Sequence, residues 1–290
     1  MANNTKGPGF PSLDQVANII LVASGKGGVG KSTVAVNLAS ALRRGGKKVG
    51  LLDADIYGPS IPTMLNLHKE VQSSDGKHID PNEIRGLKVM SMGFLIPPSK
   101  AMIWRGPMLH SAVTQFLRDV HWGPLDYLVV DLPPGTGDVQ LTFAQALTVT
   151  GAVIVSTPQE VALADVVRAR AMFDSVKIPI LGLVENMSYF ICDGCDKKHH
   201  IFATGGARKA AEQFGIPFLA EIPLEPMVRR GGDNGMPIVE AEVDHPVSQA
   251  FVQAAQSIIL AAAVATEERL AREAEEAEAV PGHRSLPIVT

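Results

Sequence analysis

Short apolar runs and amphipathic stretches alternate along most of the chain, from Asn18 to about Val264. The apolar runs are rich in Val, Ile and Leu, which is typical of strands buried on both faces of a parallel sheet. The pattern predicts strands at 19–23, 49–53, 87–91, 127–131, 151–157, 180–185 and 218–222. It predicts helices at 32–44, 107–119, 138–147, 162–175, 206–214 and 245–266. Such alternation indicates an α/β fold, with a mostly parallel sheet flanked by helices.

The two ends of the chain differ from this middle part, so residues 18–266 are predicted to form a single domain. Residues 1–17 begin polar and rich in Gly and Asn, which predicts a flexible N-terminal arm without a targeting pattern. Residues 267–290 are predicted to be an acidic helical extension of the last helix and a disordered tail, because the stretch 267–279 is rich in Glu and Ala.

Composition excludes several classes of protein. The chain has 290 residues, 46% hydrophobic and 19% charged, which is typical of a globular protein. Its net charge of −4 argues against a nucleic-acid partner. No uninterrupted apolar run reaches the ~18 residues that cross a bilayer, so no membrane partner is expected. Two cysteines are too few for a disulfide framework, and with no targeting pattern they favour the reducing cytoplasm.

A glycine-rich loop lies between the first predicted strand and the first predicted helix. It reads Gly25, Lys26, Gly27, Gly28, Val29, Gly30, Lys31 and Ser32, followed by Thr33, and it fits the phosphate-loop pattern G-x-x-x-x-G-K-[ST]. Glycines let successive backbone N–H groups surround a phosphate, and the following helix directs its positive end at the same anion. In this pattern Lys31 reaches the β- and γ-phosphates and the Ser32 hydroxyl binds Mg²⁺. Strand, loop and helix together predict a nucleotide site.

Acidic residues occur at the ends of two further predicted strands. Asp55 follows the strand 49–53, and Asp131 ends the strand 127–131. Ligands in open α/β sheets bind at the carboxyl ends of strands, so both carboxylates can face the phosphates. One can hold Mg²⁺ through water, and the other can orient the water that attacks the γ-phosphate. Asp138, at the start of a predicted helix, is equally consistent with helix capping.

Both cysteines belong to one C-x-x-C motif, Cys192 and Cys195. Two thiolates are too few for a closed tetrahedral site, whereas a two-fold symmetric dimer offers four, which suits a [4Fe–4S] cluster or a zinc ion. Three alternatives remain open at this point. The pair can form a zinc site within one chain with His199 or His200, a redox-active dithiol, or two structural cysteines without a ligand.

Several motifs, in order, resemble those of the Mrp/Nbp35 family of ATP-binding iron–sulfur carriers, within the MinD/ParA/nitrogenase-iron-protein class. They are the loop GKGGVGKS, DADIYGPS from Asp53, DLPPGTGD from Asp131, ENMS from Glu185 and IPL from Ile222. The resemblance implies a homodimeric P-loop ATPase that carries a bridging [4Fe–4S] cluster to apo iron–sulfur proteins.

The resemblance also implies roles for individual residues. Lys26 would reach the partner's nucleotide, while Lys31 and Ser32 act on the chain's own nucleotide. Asp55 would act on the catalytic water and Asp131 near Mg²⁺, with Ser32 among the metal's ligands. Asn186 would recognise adenine, and Cys192 with Cys195 would ligate the cluster.

The chain departs from the family's pattern in ways that leave the thiol ligands in place. Asp193 stands where the family usually has proline, and no cysteine precedes Cys192, so the four-cysteine N-terminal motif of the Nbp35 branch is absent from this sequence. Two other functions share the phosphate loop. A MinD/ParA-like positioning ATPase would not need the cysteines, and a nitrogenase-like electron donor would use the cluster as a fixed redox centre.

Overall fold

The computed structural model describes residues 10–56, 58–94, 114, 117–137, 140–141 and 147–279. Its strands are Val16–Ala23 (β1), Val49–Asp53 (β2), Asn82–Ile84 (β3), Leu87–Ser91 (β4), Leu125–Asp131 (β5), Gly151–Ser156 (β6), Ile180–Asn186 (β7), Phe190–Ile191 (β8), Lys198–His199 (β9) and Phe218–Ile222 (β10). Its helices are Lys31–Arg44 (α1), Ile61–Met64 (α2), Glu160–Ser175 (α3), Gly206–Phe214 (α4), Pro226–Asp233 (α5), Ile238–Ala241 (α6) and Pro246–Ala279 (α7). Short 3₁₀ helices span Pro11–Leu13 and Met92–Phe94.

Eight strands form one sheet in the order β10-β7-β6-β1-β5-β2-β4-β3. All neighbours are parallel except the edge pair β3 and β4, so the predicted mostly parallel, helix-flanked sheet is confirmed. β1 lies near the middle of the sheet, with β5 on one side and β6 on the other. The carboxyl ends of β1, β2, β5, β6 and β7 therefore meet along one edge, where α/β sheets bind ligands.

Successive residues of the strands feed two apolar layers, one on each face of the sheet. In β1, Ile20 and Val22 pack with α1 and α7, whereas Leu21 and Ala23 pack with α3. This alternation follows from the two-residue period of a strand. Each fully buried large apolar side chain stabilises the fold by about 1.5–3 kcal/mol, so the two layers hold the central strands firmly in register.

The structure corrects the predicted boundaries at the N-terminus. The flexible arm expected over residues 1–17 is wrong for residues 10–17, while residues 1–9 lie outside the described part. Leu13 is buried, the Ser12 hydroxyl donates to the Leu117 carbonyl at 2.6 Å, and β1 begins at Val16, which pairs with Leu125. These contacts pin the segment to the amino end of the sheet.

Other predicted elements match with small shifts, and short ones were missed. The sequence did not indicate β3, β8, β9, α2, α5 or α6, each of which has eight residues or fewer. Most of the predicted helices 107–119 and 138–147 lies outside the described residues; residues 114, 117–119, 140 and 141 are helical. The helical extension over 267–279 is present in α7, and residues 280–290 are not described.

The last helix is long and partly apolar. Among the helices that the structure describes, the stretch Pro246–Glu275 is the one whose length and composition would allow it to cross a membrane, and 39% of its most apolar window is buried. The buried face carries Phe251, Ala254 and Ile258, which pack in the same layer as α1. This face of α7 therefore belongs to the core of the domain.

Candidate functional site

The glycine-rich loop leaves β1 at the carboxyl edge of the sheet and turns into α1. Gly28 and Gly30 adopt left-handed backbone angles, with φ of 80° and 77°. Gly30 is the N-cap residue of α1, and no side chain caps the helix. Gly30 has no side chain to accept the first N–H groups of α1, and the positive end of the helix dipole is directed at the loop. This arrangement is suited to binding a phosphate.

The loop is held in place by close contacts that only glycine permits. A Cβ on Gly25 would lie 2.3 Å from the Asp165 Cβ and 2.5 Å from the Asp165 carbonyl oxygen, so the loop backbone packs directly against α3. The Ser24 hydroxyl donates to the Lys26 carbonyl at 2.8 Å and tightens the first turn of the loop. These contacts hold the loop against α3 and give it the curved shape that the sequence predicts.

Two of the predicted residues form a buried ion pair behind the loop. The Lys31 ammonium donates to Asp131 Oδ1 at 2.5 Å, and the two side chains are only 6% and 0% exposed. Burial raises the pKa of Asp131, and the charge of Lys31 opposes that rise. Among the residues that the structure describes, Asp131 Oδ2 is buried without a hydrogen-bond partner. This oxygen is an acceptor to which a cation or a bound water can coordinate.

The carboxyl of Asp53 lies beside this pair, whereas the sequence predicts a role for Asp55 in the same motif. Asp53 is paired in register with Asp131 on the adjacent strand and is fully buried. It accepts the Asp55 N–H at 3.1 Å, the Ile61 N–H at 3.2 Å and the Ser91 hydroxyl at 3.0 Å. Asp53 therefore fixes both ends of the loop that carries Asp55.

Burial, and after it the neighbouring charge of Asp131, raises the pKa of Asp53 from 3.8 to about 7. Asp55 is more exposed, and its Oδ1 accepts the Gly58 N–H at 3.2 Å. Of the two aspartates in this motif, Asp53 thus has a structural position, whereas Asp55 is accessible to a ligand at the carboxyl edge.

The loop that follows Asp131 leans on the phosphate loop. The Gly135 N–H donates to the Ser24 carbonyl at 2.9 Å. The Gln140 amide donates to the carbonyls of Pro133 and Pro134 at 3.0 and 2.9 Å. A change in the conformation of the phosphate loop can therefore displace this second loop, as in nucleotide switches.

Asn186 and Lys26 lie at the other side of the loop. The Asn186 amide donates to the Val29 carbonyl at 2.9 Å, and a Cβ on Gly30 would lie 2.2 Å from its Nδ2. Asn186 therefore touches the phosphate loop itself, and its role toward adenine stays a prediction. The Lys26 ammonium donates to Gln159 Oε1 at 3.3 Å, just before α3.

The cysteines lie in a small hairpin after β7, away from the phosphate loop. β8 and β9 pair antiparallel, and the turn between them carries both thiols. The Cys192 N–H donates to the Lys197 carbonyl at 3.0 Å, and the Asp196 N–H donates to the Cys192 carbonyl at 2.8 Å. A hydrogen bond from the Gly194 N–H, and to a lesser extent those from Cys195, lower the pKa of the Cys192 thiol. The lowered pKa favours the thiolate, which is the form that binds metals.

Exposed apolar side chains surround this turn. Ile191, Ile201 and Phe202 are 46%, 56% and 43% exposed. The Lys198 ammonium lies 3.5 Å from the centroid of the Tyr189 ring and 3.9 Å from a Glu221 carboxylate oxygen, which ties the hairpin to the edge of the sheet. The hairpin thus carries both thiols at the surface, beside exposed apolar side chains.

A sequence model of the ParA family described as "NUBPL iron-transfer P-loop NTPase" matches residues 15–259. The chain belongs to this family. The resemblance drawn from the motifs is thereby confirmed.

Curated relatives agree with this assignment. An iron–sulfur cluster carrier protein of Haemophilus influenzae is 51% identical over 249 residues, which are 86% of this chain and 67% of that protein. A protein of Arabidopsis thaliana named "Iron-sulfur protein required for NADH dehydrogenase, mitochondrial" is 51% identical over 248 residues, 85% of this chain and 79% of that protein.

Solved structures place the fold in the same class. A nucleotide-binding protein of Archaeoglobus fulgidus, solved in complex with ADP, superposes with a TM-score of 0.72 at 43% identity, covering 83% of this chain and 94% of that one. The MinD cell division ATPase of Pyrococcus furiosus gives a TM-score of 0.62 at 24% identity, covering 83% and 98%, and shows the fold alone.

Proposed function

We propose that this protein binds and hydrolyses ATP and carries iron–sulfur clusters, holding a [4Fe–4S] cluster between two copies of the chain and transferring it to apo-proteins. One observation supports this proposal most. The chain's two cysteines sit together in an exposed hairpin that directly follows β7, the strand whose end touches the phosphate loop. The relatives named as iron–sulfur cluster carriers support the nature of the cargo.

The nucleotide half of the proposal follows from the loop. The uncapped start of α1, Lys31 and the residues Ser32 and Thr33 would bind the phosphates. The residues also fit Mg²⁺, because the orphaned Oδ2 of Asp131 is a buried carboxylate oxygen and such oxygens are preferred Mg²⁺ ligands. Ser32, Asp55 and Asp131 would hold the ion, which supplies charge neutralisation at the phosphates.

Hydrolysis would depend on residues that are held but accessible. Asp55, on the loop fixed by Asp53, would orient the attacking water. Among the described residues, the Lys26 ammonium donates to the neutral Gln159 at 3.3 Å. Exchanging this contact for a phosphate of the partner's nucleotide would gain a charged interaction. Nucleotide binding would in this way favour a dimer in which each Lys26 contacts the nucleotide of the partner.

The cluster half depends on a second copy of the chain. In the part of the chain that the structure describes, no three His, Cys, Asp or Glu side chains gather to hold a metal ion. Two copies related by a two-fold axis would bring four thiolates together, as a [4Fe–4S] cluster requires. The same symmetry would cover the exposed Ile191, Ile201 and Phe202. A shared zinc ion is the alternative occupant. Because the thiols must stay reduced, we propose the cytoplasm as the compartment.

Anaerobic reconstitution with iron and sulfide tests the proposal. We expect about four iron and four sulfide per dimer, a visible absorption band and a dimeric mass in solution. Cys192→Ser and Cys195→Ser should each lose the cluster and keep ADP affinity, whereas Asp193→Asn, in the same turn, should keep the cluster. Loading followed by transfer to an apo iron–sulfur enzyme tests delivery. Tight zinc without iron, or a cluster that survives in the double cysteine variant, would overturn the assignment.

A further inference from the structure

Glu185 is a buried carboxylate that belongs neither to the phosphate loop nor to the cysteine hairpin. It lies next to last in β7 and is 0% exposed. One carboxylate oxygen accepts the Ser188 hydroxyl at 2.5 Å, and the other accepts the Ala207 N–H at 2.7 Å, in the first turn of α4. Buried carboxylates need such donors, and the positive end of α4 adds to their effect. Glu185 therefore joins β7, α4 and the segment after β7 at one point.

Toward the cysteines, Ser188 begins a segment that is fixed on both sides. Its N–H donates to the Ile222 carbonyl at 2.9 Å, and the Leu224 N–H donates to the Tyr189 carbonyl at 2.6 Å. The ammonium of Lys198, in the second strand of the hairpin, lies 3.5 Å from the Tyr189 ring centroid. A displacement at Ser188 is therefore passed to both strands of the cysteine hairpin.

Toward the nucleotide, the residue next to Glu185 is in direct contact with the phosphate loop. The Asn186 amide donates to the Val29 carbonyl at 2.9 Å. A Cβ on Gly30 would lie only 2.2 Å from the Asn186 amide nitrogen, so the two residues are tightly packed. A nucleotide that reshapes the loop must therefore shift Asn186 or break this bond. Either change acts within one residue of Glu185.

We propose that Glu185, acting through Ser188, is the positioning residue that couples the occupancy of the nucleotide site to the geometry of the cysteine hairpin. The inference rests on the proposed nucleotide binding, but not on the identity of the cargo. Coupling of this kind is reciprocal, so a ligand bound at the hairpin thiols would also change the affinity for nucleotide.

The test uses the full-length apo-protein and an aromatic disulfide reagent (DTNB) that reports thiol reactivity. Because the chain's two cysteines both lie in the hairpin, the reaction rate reports on this element alone. We expect saturating Mg-ADP to change the wild-type rate by about fivefold or more, the lower end of common couplings. Ser188→Ala and Glu185→Gln should reduce the ADP effect to less than about twofold, with the ADP affinity of Ser188→Ala unchanged.

Ser248→Ala is the matched control, because it also removes a buried serine hydroxyl, one that donates to the Ile238 carbonyl at 3.0 Å, far along the chain in α7. It should keep the full ADP effect. A wild-type rate that ignores bound ADP, or Ser188→Ala responding as the wild type does, overturns the inference, even if Glu185→Gln does not fold. Failure to bind ADP would overturn both this inference and the proposed ATPase. An intact thiol response without a reconstituted cluster would overturn the cargo alone.

Discussion

Asp131→Asn should destabilise the nucleotide-free protein strongly, because it leaves the Lys31 ammonium buried without a counter-charge. The two charged atoms are 2.5 Å apart, and the side chains are 6% and 0% exposed. Removing one partner of a buried pair costs about 3–5 kcal/mol, whereas whole domains are stable by only about 5–15 kcal/mol. Asn can still accept a hydrogen bond from Lys31, but it supplies no charge.

Thermal unfolding at pH 8 without nucleotide measures the effect. A domain of this size loses about 2–4 °C in Tm per kcal/mol, so we expect Tm to fall by about 6–20 °C. The control is Asp233→Asn, which breaks an ion pair with Arg229 whose side chains are 59% and 69% exposed. Exposed pairs contribute about 0–1 kcal/mol, so this variant should change Tm by only a few degrees. Equal shifts in the two variants would refute the reasoning.

A second variant separates the ion pair from general damage to the core. Lys31→Met combined with Asp131→Asn removes both charges and should recover part of the lost stability, since the cost comes from the unpaired charge. Saturating ADP should also raise the Tm of Asp131→Asn more than that of the wild type, because the phosphates offer Lys31 another anion and Lys31 has no carboxylate to leave. A double variant as unstable as the sum of the single ones would show that the two residues are not coupled.

Three further predictions concern other parts of the site. Gly25→Ala should lower Tm, because its Cβ would lie 2.5 Å from the Asp165 carbonyl oxygen, whereas Gly27→Ala, with its nearest protein neighbour at 3.9 Å, should keep its Tm; equal losses of Tm in thermal unfolding would contradict this. Because the pKa of Asp53 is raised to about 7, the folded state holds this proton more tightly than the unfolded state, so stability should fall from about pH 4 to pH 7. Asp53→Asn should flatten that part of the pH profile in urea unfolding, and an unchanged slope would speak against it. Lys26→Ala should abolish ATP-dependent dimerisation in light scattering while the monomer keeps its Tm, and a normal ATP-dependent dimer would exclude action in trans.

The fold could be predicted from the sequence where burial left a strong pattern. Strand β2 is buried along its whole length, and the predicted bounds Val49–Asp53 match the structure; the bounds of the edge strand Phe218–Ile222 match as well. The predicted first strand starts at residue 19, three residues later than β1 in the structure. The first residues of β1 show no apolar run, since Val16 is buried, Ala17 exposed and Asn18 half-exposed, and only their pairing with β5 makes them a strand. The hairpin strands have two residues each, which is too short for any period to appear.

The site was predicted as far as residue type and motif reach. The phosphate loop is defined by local glycine geometry, and the structure brings Lys31 and Asp131 together as strand ends require. The structural role of Asp53 could not be read from the sequence, because only the structure shows the three hydrogen bonds that its carboxylate accepts. The signal for Asp53 was its place as the last residue of a buried strand.

The two halves of the site are built from different materials, and this difference bears on how they work together. The nucleotide half is backed by buried, mutually bonded groups such as Lys31, Asp131 and Asp53. The cysteines lie in an exposed turn, attached to the domain by a few polar contacts at Tyr189 and Glu221. Local stability is low where few buried contacts exist, so the hairpin is the part that can move at small cost. A carrier needs an adjustable cargo site, because the cargo must be both held and released. Glu185, buried at the boundary between the two halves, is where a change at the nucleotide site can act on the cysteine hairpin.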